Sequence, residues 1–391
     1  MRYSEIKLVE SKILNEGARI DHAEDIVFWE GSRGAARALD SLKRMEEGGH
    51  QDVTVKWDGS PAIIFGRNEN GEFILTDKSG FGAKGYDGRS KSADALQKML
   101  MARPGASNPD PKKAENYAQF TTNMKDIFDE YQKATPKNFR GYLKGDLLYF
   151  NTPEIQEGKY IFTPNIVSYK VDVNSDLGKK IGQSKSGIVV HRMVNEQGQE
   201  GPVPANFQME GTEVLLFPSV TVQEAPKIED EDINSLKAIV SRNGPAIDKM
   251  LDVGTLTQLK IKDLPTVFYN YTNNKVDTGL EDLGVDFIQW LGASNASENK
   301  KRNIGQYISQ NKQAFDAMWT IVTGIMKIKD KIIKQFDSHD STVKSSIGPH
   351  GPAAPDTHGE GGEGYVLAHP KGDIKLVPRQ YFTKANRSVQ R

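Results

Sequence analysis

Two periods of apolar and polar positions alternate along this chain, and the places where one gives way to the other mark its elements. Val53, Val55 and Trp57 alternate with Thr54, Lys56 and Asp58, the period-2 pattern of a half-buried strand. Pro61 to Phe65 restarts an apolar run, so Gly59 and Ser60 form a turn. Asn70-Gly71 marks a hairpin between Ile63–Arg67 and Glu72–Thr76. Strand patterns recur at Tyr142–Phe150, Asn165–Asp172, Gly187–Val194, Glu213–Val220, Glu363–Leu367 and Asp373–Tyr381.

Spacings of three and four residues predict helices elsewhere. Residues 1–50 read as helical, with Ser32 as the cap of a helix over Arg33–Glu47 that places Ala36, Leu39, Leu42 and Met45 on one side. Helices are also expected over 92–104 and 113–134. Composition shifts at Val222, where Glu224, Glu229, Asp230, Glu231 and Asp232 surround Pro226 as an acidic linker. From Ile233 to Phe336 nearly everything is helical in pattern. Its longest stretch, Ser297–Phe336, carries Ile304, Tyr307, Ile308, Phe315, Met318, Trp319, Val322, Ile325, Met326 and Ile333 on one face. Asp337 to Gly362 is rich in Gly, Ser, His and Pro and reads as a mobile loop. The expected class is α+β. The expected domains are 1–221 with 360–391, a helical insertion at 222–337, and a flexible loop at 338–359.

Composition narrows the function less than the pattern does. The 391 residues are 37% hydrophobic and 26% charged with a net charge of −1, so no global basic character announces nucleic acid. Local balance differs. Lys78, Lys84, Arg89, Lys91, Lys98 and Arg103 face only Asp87 and Asp94 over 78–103, and residues 371–391 are basic against Asp373 alone. Lys300, Lys301, Arg302, Lys312, Lys327, Lys329, Lys331 and Lys334 lie opposite the apolar helical stripe, either as a solvated face or as a polynucleotide clamp. The lack of cysteine excludes disulfides and thiolate metal sites. No signal peptide and no apolar run near 18 residues is present, so a cytoplasmic monomer is expected.

The candidate chemistry centres on Lys56 and Asp58. A desolvated lysine has its pKa drawn down from about 10.4 and becomes a nucleophilic amine near neutral pH. The segment from Lys78 to Gly85 is glycine-rich and basic, a phosphate cradle or a surface loop. Asp146 sits inside a strand pattern that disfavours a carboxylate unless it meets solvent or a ligand. His22 and His50 read as solvent or hydrogen-bonding residues. His339, His350 and His358 lack the spacing of a metal set.

Lys56-Trp57-Asp58-Gly59 resembles motif I of the covalent nucleotidyltransferases, the superfamily of ATP-dependent DNA and RNA ligases and mRNA capping enzymes. Gly145-Asp146 with its apolar run resembles motif III, Gly187–Val194 motif IIIa, Glu363-Gly-Tyr-Val motif IV and Ile374-Lys375-Leu-Val motif V. The resemblance implies an antiparallel-sheet nucleotidyltransferase domain of the ligase adenylation type, ATP-grasp-like, with an inserted all-α module. It is closest to an ATP-dependent polynucleotide ligase of viral or phage type without a C-terminal OB-fold. The implied reaction seals DNA or RNA in three steps: Lys56 takes AMP from ATP, AMP passes to a 5′-phosphate, and a 3′-hydroxyl displaces it. Implied roles are nucleophile for Lys56, Mg²⁺ (or Mn²⁺) ligand for Glu363, ribose contact for Asp146 and purine stacking for His191. Lys375 would grip the α-phosphate; Thr54, Arg67, Lys78 and Arg379 complete the nucleotide contacts. Motif V usually reads Lys-x-Lys, and Val377 stands in the second place; either Lys371, Arg379 or Lys384 substitutes, or one phosphate contact is missing. The alternatives are a capping-type guanylyltransferase and a nucleic-acid-binding protein that kept the scaffold without turnover.

Overall fold

A computed structural model of the chain describes residues 20–82, 90–204, 206–276, 279, 283–339, 343–347, 362–380 and 383. Lys84, Arg89, His350, His358, Lys384 and most of the expected 338–359 loop lie outside them. The strands in chain order are β1 (Asp21–His22), β2 (Val53–Val55), β3 (Ala62–Arg67), β4 (Phe73–Asp77) and β5 (Gly141–Tyr149). After these come β6 (Glu154–Gln156), β7 (Lys159–Phe162), β8 (Val167–Asp172), β9 (Ser186–Val194) and β10 (Glu200–Gly201). The last are β11 (Val214–Leu216), β12 (Val343–Ile347), β13 (Tyr365–Leu367) and β14 (Ile374–Leu376). The sheets are mostly antiparallel and helices fill the rest, so the class is α+β. Among the described residues no helix is long and apolar enough to cross a membrane.

The chain forms two compact units, and their division departs from the expected domains. The first contains Trp57–Ser219 with Thr342–Lys344; the second contains Arg19–Lys56, Val220–Ser341 and Ser345–Arg391. The helix Ile26–Glu46 and the strands of motifs I, IV and V therefore go with the helical block. The reason is core composition. Ala35, Leu39, Leu42, Val53, Leu367, Ile374 and Leu376 are buried in one apolar cluster with Phe268, Trp319 and Ile325, whereas Ile63, Phe65, Leu143, Leu147 and Ile188 share another with Phe128 and Tyr131.

In the first unit one sheet runs β10-β9-β5-β3-β4, with β11 parallel to β9. The expected Asn70-Gly71 turn joins β3 to β4, with Gly71 at φ +83°. A second sheet runs β12-β8-β7-β6, Val343 and Lys344 being the part of β12 in this unit. The β6–β7 hairpin escapes the sequence pattern because its Glu-Gly turn lacks the usual Asn or Asp; Glu157 and Gly158 both take positive φ. The helices Ala93–Met101 and Pro111–Ala134 match expectation, capped by Ser92 and Asp110, whose side chains accept from backbone N–H groups.

In the second unit the sheet order is β1-β14-β13-β2. Val220 and Val222 flank the free side of β2 with backbone hydrogen bonds to Val55 and Val53. The helix Ile26–Glu46 begins earlier than expected and kinks at Gly31, φ +61°. Ser32 does not cap its own turn. Its N–H and hydroxyl donate to the Asp248 carboxylate, both at 2.7 Å, so a side chain 216 residues away supplies the cap. The expected single helix Ser297–Phe336 is two, Glu298–Gln310 and Lys312–Ser338, broken at Asn311.

Candidate functional site

In the second unit β2 hydrogen-bonds to β13 and β13 to β14, which brings motifs I, IV and V onto adjacent strands. The register aligns Thr54 with Val366 and Val366 with Lys375, and on the outer side Lys375 with His22. Alternation fixes the two faces. Val53, Leu367 and Ile374 form the buried row, so Thr54, Val366, Lys375 and His22 occupy the opposite face. The chain continues past Val55 with Lys56, whose N–H donates to the Gly364 carbonyl at 3.0 Å.

Lys56 Nζ makes an ion pair with Glu363, a partner 307 positions away in the sequence. Glu363 is fully buried, while the Lys56 side chain keeps 19% exposure, which gives the amine a route to solvent. The Glu363 N–H donates to Ser345 Oγ at 3.0 Å. Gly364 is required beside it: φ is +91°, and an added Cβ would lie 2.2 Å from the Leu376 carbonyl oxygen of β14.

Behind this sheet the unit buries a charged network that the sequence did not disclose. Lys329 Nζ donates to both oxygens of Glu24 at 2.9 Å. Arg379 Nη1 donates to Asp25 at 2.7 Å and Glu24 at 3.3 Å, and its Nε and Nη2 to Asn273. Burial opposes ionisation of Glu24, but Lys329 and Arg379 outweigh it and hold the carboxyl below its ordinary range. Burial pushes Asp25 up to about 6, with Arg379 pulling the other way. His22 lies two residues before Glu24. Burial, then the positive charges of Arg379, Lys329, Lys375 and Lys56, hold its imidazole well below the usual range, so it is neutral at pH 7.

The network reassigns two expected residues. Arg379 is 3% exposed and committed to two carboxylates and an amide, so its guanidinium is a structural clamp and not a phosphate grip. Lys329 is 0% exposed and leaves the basic helix face on which its spacing put it. Val377, at the second motif V position, is 4% exposed and packs as an apolar residue.

The remaining candidates belong to the first unit. Asp58 Oδ2 accepts from Asn165 Nδ2 at 2.9 Å, and the Asp58 N–H donates to the Tyr169 hydroxyl at 2.7 Å. Gly59 packs directly on β5, where a Cβ would meet the Leu147 carbonyl oxygen at 2.3 Å. His191 and Asp146 meet each other, Nε2 to Oδ2 at 3.0 Å. A bulge turns His191 to that position: Lys144 pairs with Arg192 and Gly145 with Val190, leaving His191 as the extra residue. Lys78 is exposed at the start of the helix Lys78–Gly82.

Arg67 is not available to a nucleotide. It is 8% exposed and donates to the carbonyls of Gln132 (2.7 Å), Thr135 (3.1 Å), Pro136 (3.2 Å) and Gly71 (3.1 Å). A cation at the carbonyl end of Pro111–Ala134 complements the helix dipole, and that is its role. Among the described residues no three His, Asp or Glu side chains converge as a metal site. The Glu363 carboxylate is a hard oxygen donor, of the kind that hard divalent cations prefer.

These features define an α+β protein with mostly antiparallel sheets and a lysine–carboxylate pair at the edge of one of them. Residues 18–87 and 111–391 match a family of unknown function, DUF6267, and the chain belongs to that family. No curated protein and no solved structure matches it.

Proposed function

We propose that the protein is an ATP-dependent polynucleotide ligase, a nucleotidyltransferase that acts through a covalent AMP on Lys56. The observation that carries this reading is the Lys56–Glu363 ion pair, which joins the residues resembling the nucleophile of motif I and the metal ligand of motif IV. Lys375, two strands from Thr54, supports it with a third charged group on the face that Thr54 shares.

The lysine amine, after losing a proton to water, forms a P–N bond to the α-phosphorus of ATP as the bond to the bridging oxygen breaks and pyrophosphate leaves. AMP then passes to a polynucleotide 5′-phosphate, and a 3′-hydroxyl displaces it. Mg²⁺, when bound, would neutralise charge on the non-bridging phosphate oxygens, and Glu363 is the residue to hold it. Lys375 offsets the same charge from the protein side. Thr54, in the same unit as Lys56, remains a proposed nucleotide contact by resemblance.

The test is incubation with α-labelled ATP and Mg²⁺ followed by a denaturing gel. The parent should take label, and Lys56→Ala should take none; label retained in Lys56→Ala removes the assignment. Preference for GTP moves the reading to capping. A protein that labels with no nucleotide is a nucleic-acid-binding scaffold without turnover, the reading that the apolar Val377 favours.

A further inference from the structure

Among the described residues of the second unit, a histidine on the sheet that leads into Lys56 has no part in the proposed chemistry. His22 sits on β1, directly beside Lys375 of β14 in the parallel register, on the sheet face shared with Thr54 and opposite the buried row of Val53, Leu367 and Ile374. Its Nδ1 is buried and has no hydrogen-bond partner among the described residues. Buried ring nitrogens are normally satisfied, because an unmet donor forfeits its bond to water without replacement. The groups around it are cationic on several sides: Lys375 on the adjacent strand, Lys56 beyond β13, and Arg379 and Lys329 from the network below. Glu24 and Asp25, two and three residues further on, are already held by Lys329 and Arg379, and Asp21, the adjacent residue, aligns with Ile374 in the opposite, buried row of the sheet.

We propose that His22 is a phosphate-contacting residue of the Lys56 site, donating from Nδ1–H to an oxygen of the nucleotide's polyphosphate chain beside Lys375. This rests on the reading of Lys56 as the acceptor of the nucleotidyl group. An uncharged imidazole has a specific use there. It adds a directional donor without repelling Lys56 and Lys375, whereas another ammonium in that place would oppose both. A protonated ring is disfavoured by the same cations, so the contact persists unchanged across neutral pH.

The experiment uses the full chain with ¹⁵N-labelled histidine, the His22 signal being assigned by its loss in His22→Leu. Inorganic pyrophosphate and a non-hydrolysable ATP analogue are titrated separately, and self-labelling kinetics are measured in parallel. The His22 signal should shift saturably with both, and the shift should weaken in Lys375→Ala. His22→Leu should raise KM for ATP about tenfold with kcat within about twofold, the scale of one hydrogen bond to a charged acceptor. His22→Asn, whose amide nitrogen lies near the Nδ1 position, should restore most of the KM. A purely structural histidine would show neither the pyrophosphate shift nor the selective rescue.

A parent that self-labels while its His22 signal ignores both ligands overturns the contact and leaves the nucleotidyl-transfer reading intact. A parent that takes no label while the signal still follows pyrophosphate removes that reading and keeps the contact. Should His22→Leu fail to fold, the parent titration and the Asn variant decide alone.

Discussion

Lys56 and Glu363 are the residues on which activity should turn, and their variants separate two roles. Glu363→Gln keeps the shape of the buried side chain but removes its charge. Self-labelling should slow at least tenfold and need more Mg²⁺ to saturate; a Mg²⁺ titration superimposable on that of the parent would show that Glu363 holds no metal. Arg67→Met tests a reassignment. Four carbonyls would be deprived of a charged donor, so stability should fall by about 3 kcal/mol in urea unfolding while labelling per folded molecule stays unchanged. A normal midpoint for Arg67→Met would make that side chain a candidate for binding nucleotide again. Asp330 gives a pH prediction. Burial raises its carboxyl to about 6, against the pull of Lys329. The folded state thus binds the proton more tightly than the unfolded chain, and this group's contribution is lost as pH rises from about 4 through about 6. Asp330→Asn should therefore stabilise the protein by about 1–3 kcal/mol at pH 7.5, with the gain vanishing near pH 4 in thermal unfolding.

The elements explain why short motifs survive inside long strands. Gly59 and Gly364 each touch a neighbouring backbone too closely for any Cβ, at 2.3 Å from Leu147 and 2.2 Å from Leu376 respectively. The turns that follow Lys56 and Glu363 are thus fixed by main-chain packing, and glycine is demanded whatever the chemistry. The helix Lys312–Ser338 shows the opposite case, where an amphipathic pattern conceals a buried charge. Lys329 lies among apolar positions that face the core, and only Glu24 makes its burial tolerable. Lys329→Met strands Glu24 against Arg379 alone and should cost about 3 kcal/mol of stability by calorimetry. Adding Glu24→Gln should recover part of that loss; strictly additive losses would mean the pair is not coupled.

At the scale of the whole molecule, the polynucleotide partner is the open proposal, and the helical block offers less free charge than its sequence advertises. Lys300 pairs with Asp263, Lys301 with Glu298, Lys312 with Asp316 and Lys331 with Asp232, while Lys329 is internal. Lys301 and Lys312 find their acids one turn away on the same helix, whereas the partners of Lys300 and Lys331 come from distant segments that a one-dimensional count cannot see. If this face binds a polynucleotide, replacing Lys327, Lys331 and Lys334 together by Gln weakens binding, and the slope of log K against log salt drops by about 0.9 for each duplex phosphate no longer neutralised. Self-labelling at Lys56 should be unaffected. An unchanged slope would leave the face as a solvated scaffold.

The sequence alone determined the local elements: the strand leading to Lys56, the Asn70-Gly71 hairpin, and the helices expected over 92–104 and 113–134. Each depends on residue period, turn chemistry or a cap, all of which act over a few positions. Tertiary structure decided what those elements share. The Lys56–Glu363 pair spans 307 residues, the division into units follows which apolar faces meet, and the assignments of Arg67, Arg379 and Lys329 follow from carbonyls and carboxylates supplied by distant segments. A charged side chain looks the same in sequence whether it faces water, a ligand or a buried partner. Only the packing around it sets the cost of its charge, and so its use.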